Sequence, residues 1–223
     1  MATKKKTEQK TEAKNEEVIV LKPINTKTMT VTIRGDSDLI LNKMNLRNFE
    51  DQMDKQSDKS KTVRERNAWE DYITALHWRD ELPENIEYTE ETFKDLLKNN
   101  APCISAYGMK KSIGDSVVRN ELDKNKTKMM ACINIIAPGG LIPIRYAEHH
   151  CDAKLIKPPM GKIVLSRQSR FSGWTASFTV QYIDGGTFNA EQILQAINLA
   201  GFGIGIGSGR PCGFGRYHIE SVE

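Results

Sequence analysis

The sequence predicts an α+β fold: a βαββαβ core with an antiparallel sheet, a helical insertion and an extra hairpin. Three observations predict it. Residues Lys27–Arg34 (KTMTVTIR) alternate Met29, Val31 and Ile33 with Thr28, Thr30 and Thr32, the period of a half-buried strand. Two later segments, Met109–Leu122 and Ala190–Ala200, space their apolar residues for helices instead. Strand signals fill the interval between those helices and return at the end of the chain.

The elements follow in order. Residues 1–20 are expected to be a disordered tail. The first seventeen (MATKKKTEQKTEAKNEE) hold no aromatic residue and no β-branched residue except threonine, too little apolar area to offset chain entropy. Residues 21–223 read as one domain. Gly35–Asp38 (GDSD) breaks the first strand. From about 45 to 100 the chain turns to Asp, Glu, Lys, Asn and Gln with sparse apolar anchors. Trp69, Tyr72, Ile73 and Leu76 recur there at helical spacing, and Thr92–Lys98 reads as a short helix, so the region is taken as the helical insertion.

Met109–Leu122 carries Met109, Ile113, Val117 and Val118 as one apolar stripe. Met129–Ala137 (MMACINIIA) is near-continuously apolar and reads as a strand. Pro138–Gly140 makes a turn, and Leu141–Tyr146, Lys162–Arg167 and Trp174–Ile183 read as further strands. The last alternates Trp174, Ala176, Phe178, Val180 and Tyr182 on one side. Ile193, Leu194 and Ile197 form the buried stripe of the final helix, and RYHIESV closes the chain as a strand. Without the insertion and the extra hairpin, this order is the ferredoxin-like arrangement that RNA-recognition domains share, with the first and last strands expected inside the sheet.

Bulk composition narrows the function. The 223 residues carry a formal charge of +3 and a pI near 8.6, which permits an anionic partner without requiring one. No run of about 18 apolar residues offers a membrane span, and no apolar stretch follows the N-terminal lysines as a secretory signal would. Cys103, Cys132, Cys151 and Cys212 form no CxxC pair, the usage of reduced thiols, so a cytoplasmic location is expected. His149, His150 and Cys151 adjoin, yet no second ligand pair is visible, and no metal is expected. No GxSxG, HExxH or paired-carboxylate motif occurs.

One segment stands out. GFGIGIGSGRPCGFG, Gly201–Gly215, contains seven of the chain's sixteen glycines. It follows a helix and precedes a strand, the reverse of nucleotide-cradling loops, so no nucleotide cofactor is expected. Two readings stay open. Glycines can expose backbone amides to phosphate, helped by Arg210 and Arg216, or they can let the last strand cross tightly beneath other chain. Nearby, LSRQSRFSGW places Arg167, Arg170, Phe171 and Trp174 within eight residues. Charge could track phosphate there while rings stack on bases. The alternative is that Trp174 starts the core face of its strand and the arginines are solvated.

The spacing Gly205-Ile206-Gly207, five residues, Gly213-Phe214-Gly215 resembles the glycine-rich loop of the RAMP superfamily, the RNA-binding subunits of CRISPR complexes. The chain also resembles small RAMP-like proteins of bacteriophages and prophages, through Arg34-Gly35, Tyr107–Lys110 and Arg170–Trp174. The segment DSDLILNKM departs from their pattern, and the resemblance covers about residues 27–44 and 101–222. It implies a non-catalytic protein that binds single-stranded nucleic acid, RNA in preference to DNA, and that assembles along the strand with copies of itself or other subunits. The implied contacts are the amides of Gly205, Gly207, Gly209, Gly213 and Gly215, with Arg210, Arg216, Lys110 and Lys111. Two alternatives remain: a metal-independent endoribonuclease using His77 or His218 as general base, or a protein-interaction subunit of a phage or defence assembly.

Overall fold

Strand β1 (Thr26–Gly35) organises the larger sheet because both its edges are paired. A computed structural model describes residues 23–43, 67–156 and 164–223 of the chain. The expected tail, the first part of the insertion and the start of the strand placed at Lys162 lie outside them.

Along one edge β1 pairs antiparallel with β9 (Thr175–Ile183) over nine residues, Thr26↔Ile183 to Arg34↔Thr175. Along the other it pairs antiparallel with β10 (Tyr217–Val222). The far edge of β9 is shared: β5 (Ile133–Ile136) takes one half, and β6 (Leu141–Arg145) takes the other. Through β6 the sheet continues to β4 (Pro102–Ser105) and the two-residue β3 (His77–Trp78). The last strand therefore lies at an edge of the sheet among the described residues, not inside it as the sequence suggested.

The alternation read from the sequence sets the two faces of this sheet. Met29, Val31 and Ile33 on β1, with Ala176, Phe178 and Val180 on β9, are buried with Ile133, Ile135, Ile142 and Ile144. Two helices cover that face: α3 (Ala106–Arg119) and α5 (Ala190–Gly203). Both begin at a side-chain cap. Ser105 accepts from the Gly108 amide, and Asn189 with Gln192 forms a reciprocal capping box. The helices run antiparallel, joined by hydroxyls on α3: Ser116 donates to the Ala196 carbonyl at 2.8 Å, and Ser112 donates to the Gly205 carbonyl at 3.0 Å. The opposite face carries Thr30, Thr32, Arg34, Thr175, Ser177, Thr179 and Gln181, all exposed or half-exposed.

A second, three-stranded sheet joins β2 (Leu39–Leu41), β8 (Val164–Ser172) and β7 (Glu148–Ile156) in that order. Of the insertion, the described part holds α1 (Ala68–Thr74) and α2 (Glu90–Asn99), whose Trp69, Tyr72 and Phe93 rings lie about 6 Å apart. The molecule is thus a mixed α+β structure with antiparallel sheets.

Two segments differ from expectation. MMACINIIA is not one strand: Lys126–Cys132 is helix α4, and only Ile133–Ile136 is extended. Asn125 caps that helix through the Thr127 amide, and Met129 is fully buried, so a local cap overrides the apolar run. Strand β7 contains His149, His150 and Cys151, a polar run that gave no strand signal.

Candidate nucleic-acid interface

The glycine segment divides into a packed base and an exposed tip. At the base, the Gly205 amide donates to Ala200 at 2.7 Å and the Gly215 amide to Asp38 at 2.8 Å; Ile206 donates back to Gly215 at 3.0 Å. Gly215 has φ +71°, and a Cβ there would lie 1.9 Å from the Ile206 carbonyl oxygen. Only glycine fits where two backbones touch this closely. Nearer the tip, the Ser208 amide donates to the Ile40 carbonyl at 2.8 Å, which pins the turn to β2. Gly207 at φ +74° passes the same carbonyl so closely that a Cβ would lie 2.4 Å from it.

Most loop amides are therefore already used. Besides those named, Cys212 donates to Gly209, Gly213 to Arg210, and Arg216 to the Ser37 hydroxyl. This corrects the expectation for Gly205, Gly213 and Gly215: their N–H groups close the turn and do not face an outside anion. Gly207, Gly209, Arg210 and Phe214 keep amides without a partner among the described residues. Arg210 is exposed and has no ion-pair partner among them. Arg216 keeps a buried Nε with no partner there either.

The arginines and the phenylalanine of LSRQSRFSGW are not an open surface. Arg167 donates to Asp71 at 2.7 Å, with both side chains more than four-fifths buried. Arg170 is held twice, by Asp38 at 2.7 Å and by Asp152 at 2.8 Å. Burial pushes the Asp38 carboxyl up, but Arg170 and the Ser172 hydroxyl outweigh it and hold Asp38 below its usual range. Phe171 is fully buried, against Tyr146 and His149, and cannot stack on a base. Trp174 is also fully buried, and its indole N–H donates to the Ser37 carbonyl at 2.8 Å, so the core reading holds for it. These residues tie the second sheet to the turn and to α1.

Lys110 and Lys111, on α3, have no ion-pair partner among the described residues. Tyr107 stands one turn before them on the same helix face and is 68% exposed. At the matching end of α5, Phe202 is 78% exposed. The antiparallel helix pair and the Ser112–Gly205 bond bring the α3 start, the α5 end and the glycine turn to one end of the helical layer. Neither ring was singled out in the sequence. Tyr107 precedes the helix read from Met109 and Phe202 follows the helix read to Ala200, so the sequence reading placed neither on a helix face.

The histidines differ in setting. His77 is half-buried, and burial with the nearby Lys43 charge pushes its pKa down. His218 on β10 is exposed, and its Nδ1 lies 2.6 Å from Asp36 Oδ1. His149 is packed between Phe93 and Phe171, and burial pushes its pKa down to about 4. Among the described residues, no three His, Cys, Asp or Glu side chains are grouped as metal ligands, and no helix is long and apolar enough to cross a membrane.

No family model matches the chain, and no curated protein matches it. Among solved structures, it is similar to a chain of the cryo-EM structure of Type III-B Cmr-beta bound to cognate target RNA. That match has a TM-score of 0.48 and 8% identity, and covers 89% of this chain and 60% of the other, so this chain spans under two thirds of its length. It is also similar to Cmr6 from Pyrococcus furiosus, with a TM-score of 0.40 and 10% identity, covering 88% of this chain and 100% of the other.

Proposed function

We propose that the chain is a non-catalytic, RAMP-like protein that binds single-stranded nucleic acid, with RNA preferred over DNA. One observation carries the reading: exposed rings and unpaired cations stand at the end of the helical layer from which the glycine turn departs, and the tip of that turn keeps Arg210 and free amides. Tyr107 and Phe202 supply flat apolar faces for bases. Lys110, Lys111 and Arg210 supply charge for phosphates, and the amides of Gly207 and Gly209 supply neutral donors. This combination of ring and cation is what a flexible single strand requires, because every base has a π-face and every linkage a phosphate. In this reading the core is ferredoxin-like: the strand order β10-β1-β9-β5, with α3 and α5 on one face, supports it. Residues 21–223 form one cytoplasmic domain of phage or prophage origin, which assembles along the strand with its own copies or other subunits.

The test is binding to labelled oligonucleotides at two salt concentrations. Affinity should fall with salt, and Arg210→Ala should lower affinity and flatten the log–log slope by about 0.7. Tyr107→Ala and Phe202→Ala should each weaken binding by about 1–3 kcal/mol, with little change in slope. If all three variants bind as the parent does, the turn end is not the contact surface.

A second reading, the metal-independent endoribonuclease, is favoured by the His218–Asp36 pair, in which a carboxylate orients an exposed imidazole as a general base would need. Cleavage of RNA in the presence of EDTA that is lost in His218→Ala would establish it; intact RNA favours the binder.

A further inference from the structure

The side of the larger sheet facing away from α3 and α5 holds a cavity of about 440 Å³, bordered by Thr32, Arg34, Arg145, Thr175, Ser177 and Glu220. Strand register builds it. Arg34 on β1 pairs with Thr175 on β9, and Thr175 pairs on its other side with Arg145 on β6. Directly paired residues project to the same face, so two arginines flank one threonine in a row across three strands. Their Cα atoms are separated by two strand spacings, roughly 9–10 Å. That gap is wide enough for a tetrahedral anion between two guanidinium forks. The floor is polar: the Thr32 and Ser177 hydroxyls meet at 2.8 Å.

The charge is spent only in part. Glu220 accepts from Nε and one Nη of Arg34, which fixes the orientation of that guanidinium and leaves further N–H groups. Arg145 is exposed and has no ion-pair or side-chain hydrogen-bond partner among the described residues. Two guanidiniums thus face one carboxylate around a hydroxyl-lined hollow. Pro143 and Ala176 complete the lining, and the hydroxyls and arginine forks beside them are the donor set that holds a phosphate.

We propose that this hollow is a phosphate-binding site, separate from the turn end and on the opposite face of the sheet. Arg145 is its principal contact, Arg34 the second, and Thr175 the hydroxyl between them. The phosphate belongs either to a nucleic-acid strand or to a free phosphate species, and the chemistry of recognition is the same.

Isothermal titration calorimetry of the full chain with pyrophosphate, and separately with a 5′-phosphorylated uridine tetranucleotide, tests it. Saturable binding of either is expected. Arg145→Ala should weaken it by at least about tenfold, Arg145→Lys should weaken it less, and Glu220→Gln should strengthen it. Arg145→Ala should weaken pyrophosphate binding by the same factor whether Arg210 is present or replaced by alanine, so failure of the turn reading and failure of this site are distinguishable. Pyrophosphate binding identifies a free phosphate species as a ligand; tetranucleotide binding alone identifies a strand. Absence of both, or equal binding by the parent and Arg145→Ala, overturns the proposal.

Discussion

His149 shows how one residue couples packing to pH. Its ring fills the space between Phe93 and Phe171, with centroids 5.2 and 4.9 Å away, and its buried Nε2 has no partner among the described residues. Burial, then the His150 charge, favours the neutral ring over the attraction of Asp152, and the pKa falls from 6.5 to about 4. The unfolded chain therefore binds the proton more readily, so this contribution to stability is complete above pH 6.5 and is lost as pH falls toward 4. The parent should lose roughly 2 kcal/mol across that window, an amount already reduced for the part of the ring near solvent. His149→Phe keeps the aromatic volume and removes the proton site. Urea unfolding at pH 7.5 and 4.5 should show a smaller difference for the variant than for the parent; an equal difference places the pH dependence elsewhere.

At the scale of elements, the glycine turn acts as a clasp whose base is structural. Gly215 meets the Ile206 carbonyl in a left-handed conformation that also presents its amide to Asp38. Gly215→Ala adds both a backbone strain and a collision with main chain that cannot rotate away. Destabilisation of about 2–4 kcal/mol is expected in chemical unfolding, without any nucleic acid present. A change below half a kcal/mol would mean the turn is looser than this packing implies. The strands and helices that were legible in the sequence share one property: their burial pattern repeats within the element. KTMTVTIR, Trp174–Ile183 and the two long helices follow that rule. MMACINIIA did not, because an apolar run without alternation has no period to read, and the Asn125 cap decided its first half.

Across the whole molecule, the Arg170 pairings join parts that are distant in sequence. Its guanidinium, on β8, binds Asp152 on β7 and Asp38 in the connection between β1 and β2, beside the carbonyl that anchors Gly215. Arg170→Ala leaves two carboxylates facing one another without their shared cation. It should cost about 1–3 kcal/mol at neutral pH, read as a lower urea midpoint. The Asp38 share of that difference is present above pH 3.8 and fades as pH falls through its lowered folded pKa. A variant as stable as the parent at neutral pH would show that the clamp is only solvated charge.

The sequence by itself determined the alternating strands, the two long helices and the presence of a glycine turn before the last strand, because each is a local pattern of burial or backbone freedom. Tyr107 and Phe202 lie just beyond the helices read from the sequence, and only the structure puts them on α3 and α5. What only the tertiary structure decided is which groups remain available. Arg167, Arg170 and Phe171 look like an interface in the sequence and are consumed by Asp71, Asp38, Asp152 and the core. Arg145 and Arg34 look unrelated in the sequence, yet register sets them on either side of Thr175. A side chain's partner is fixed by strand pairing and packing between residues 18 to more than a hundred positions apart, and no local pattern carries that information.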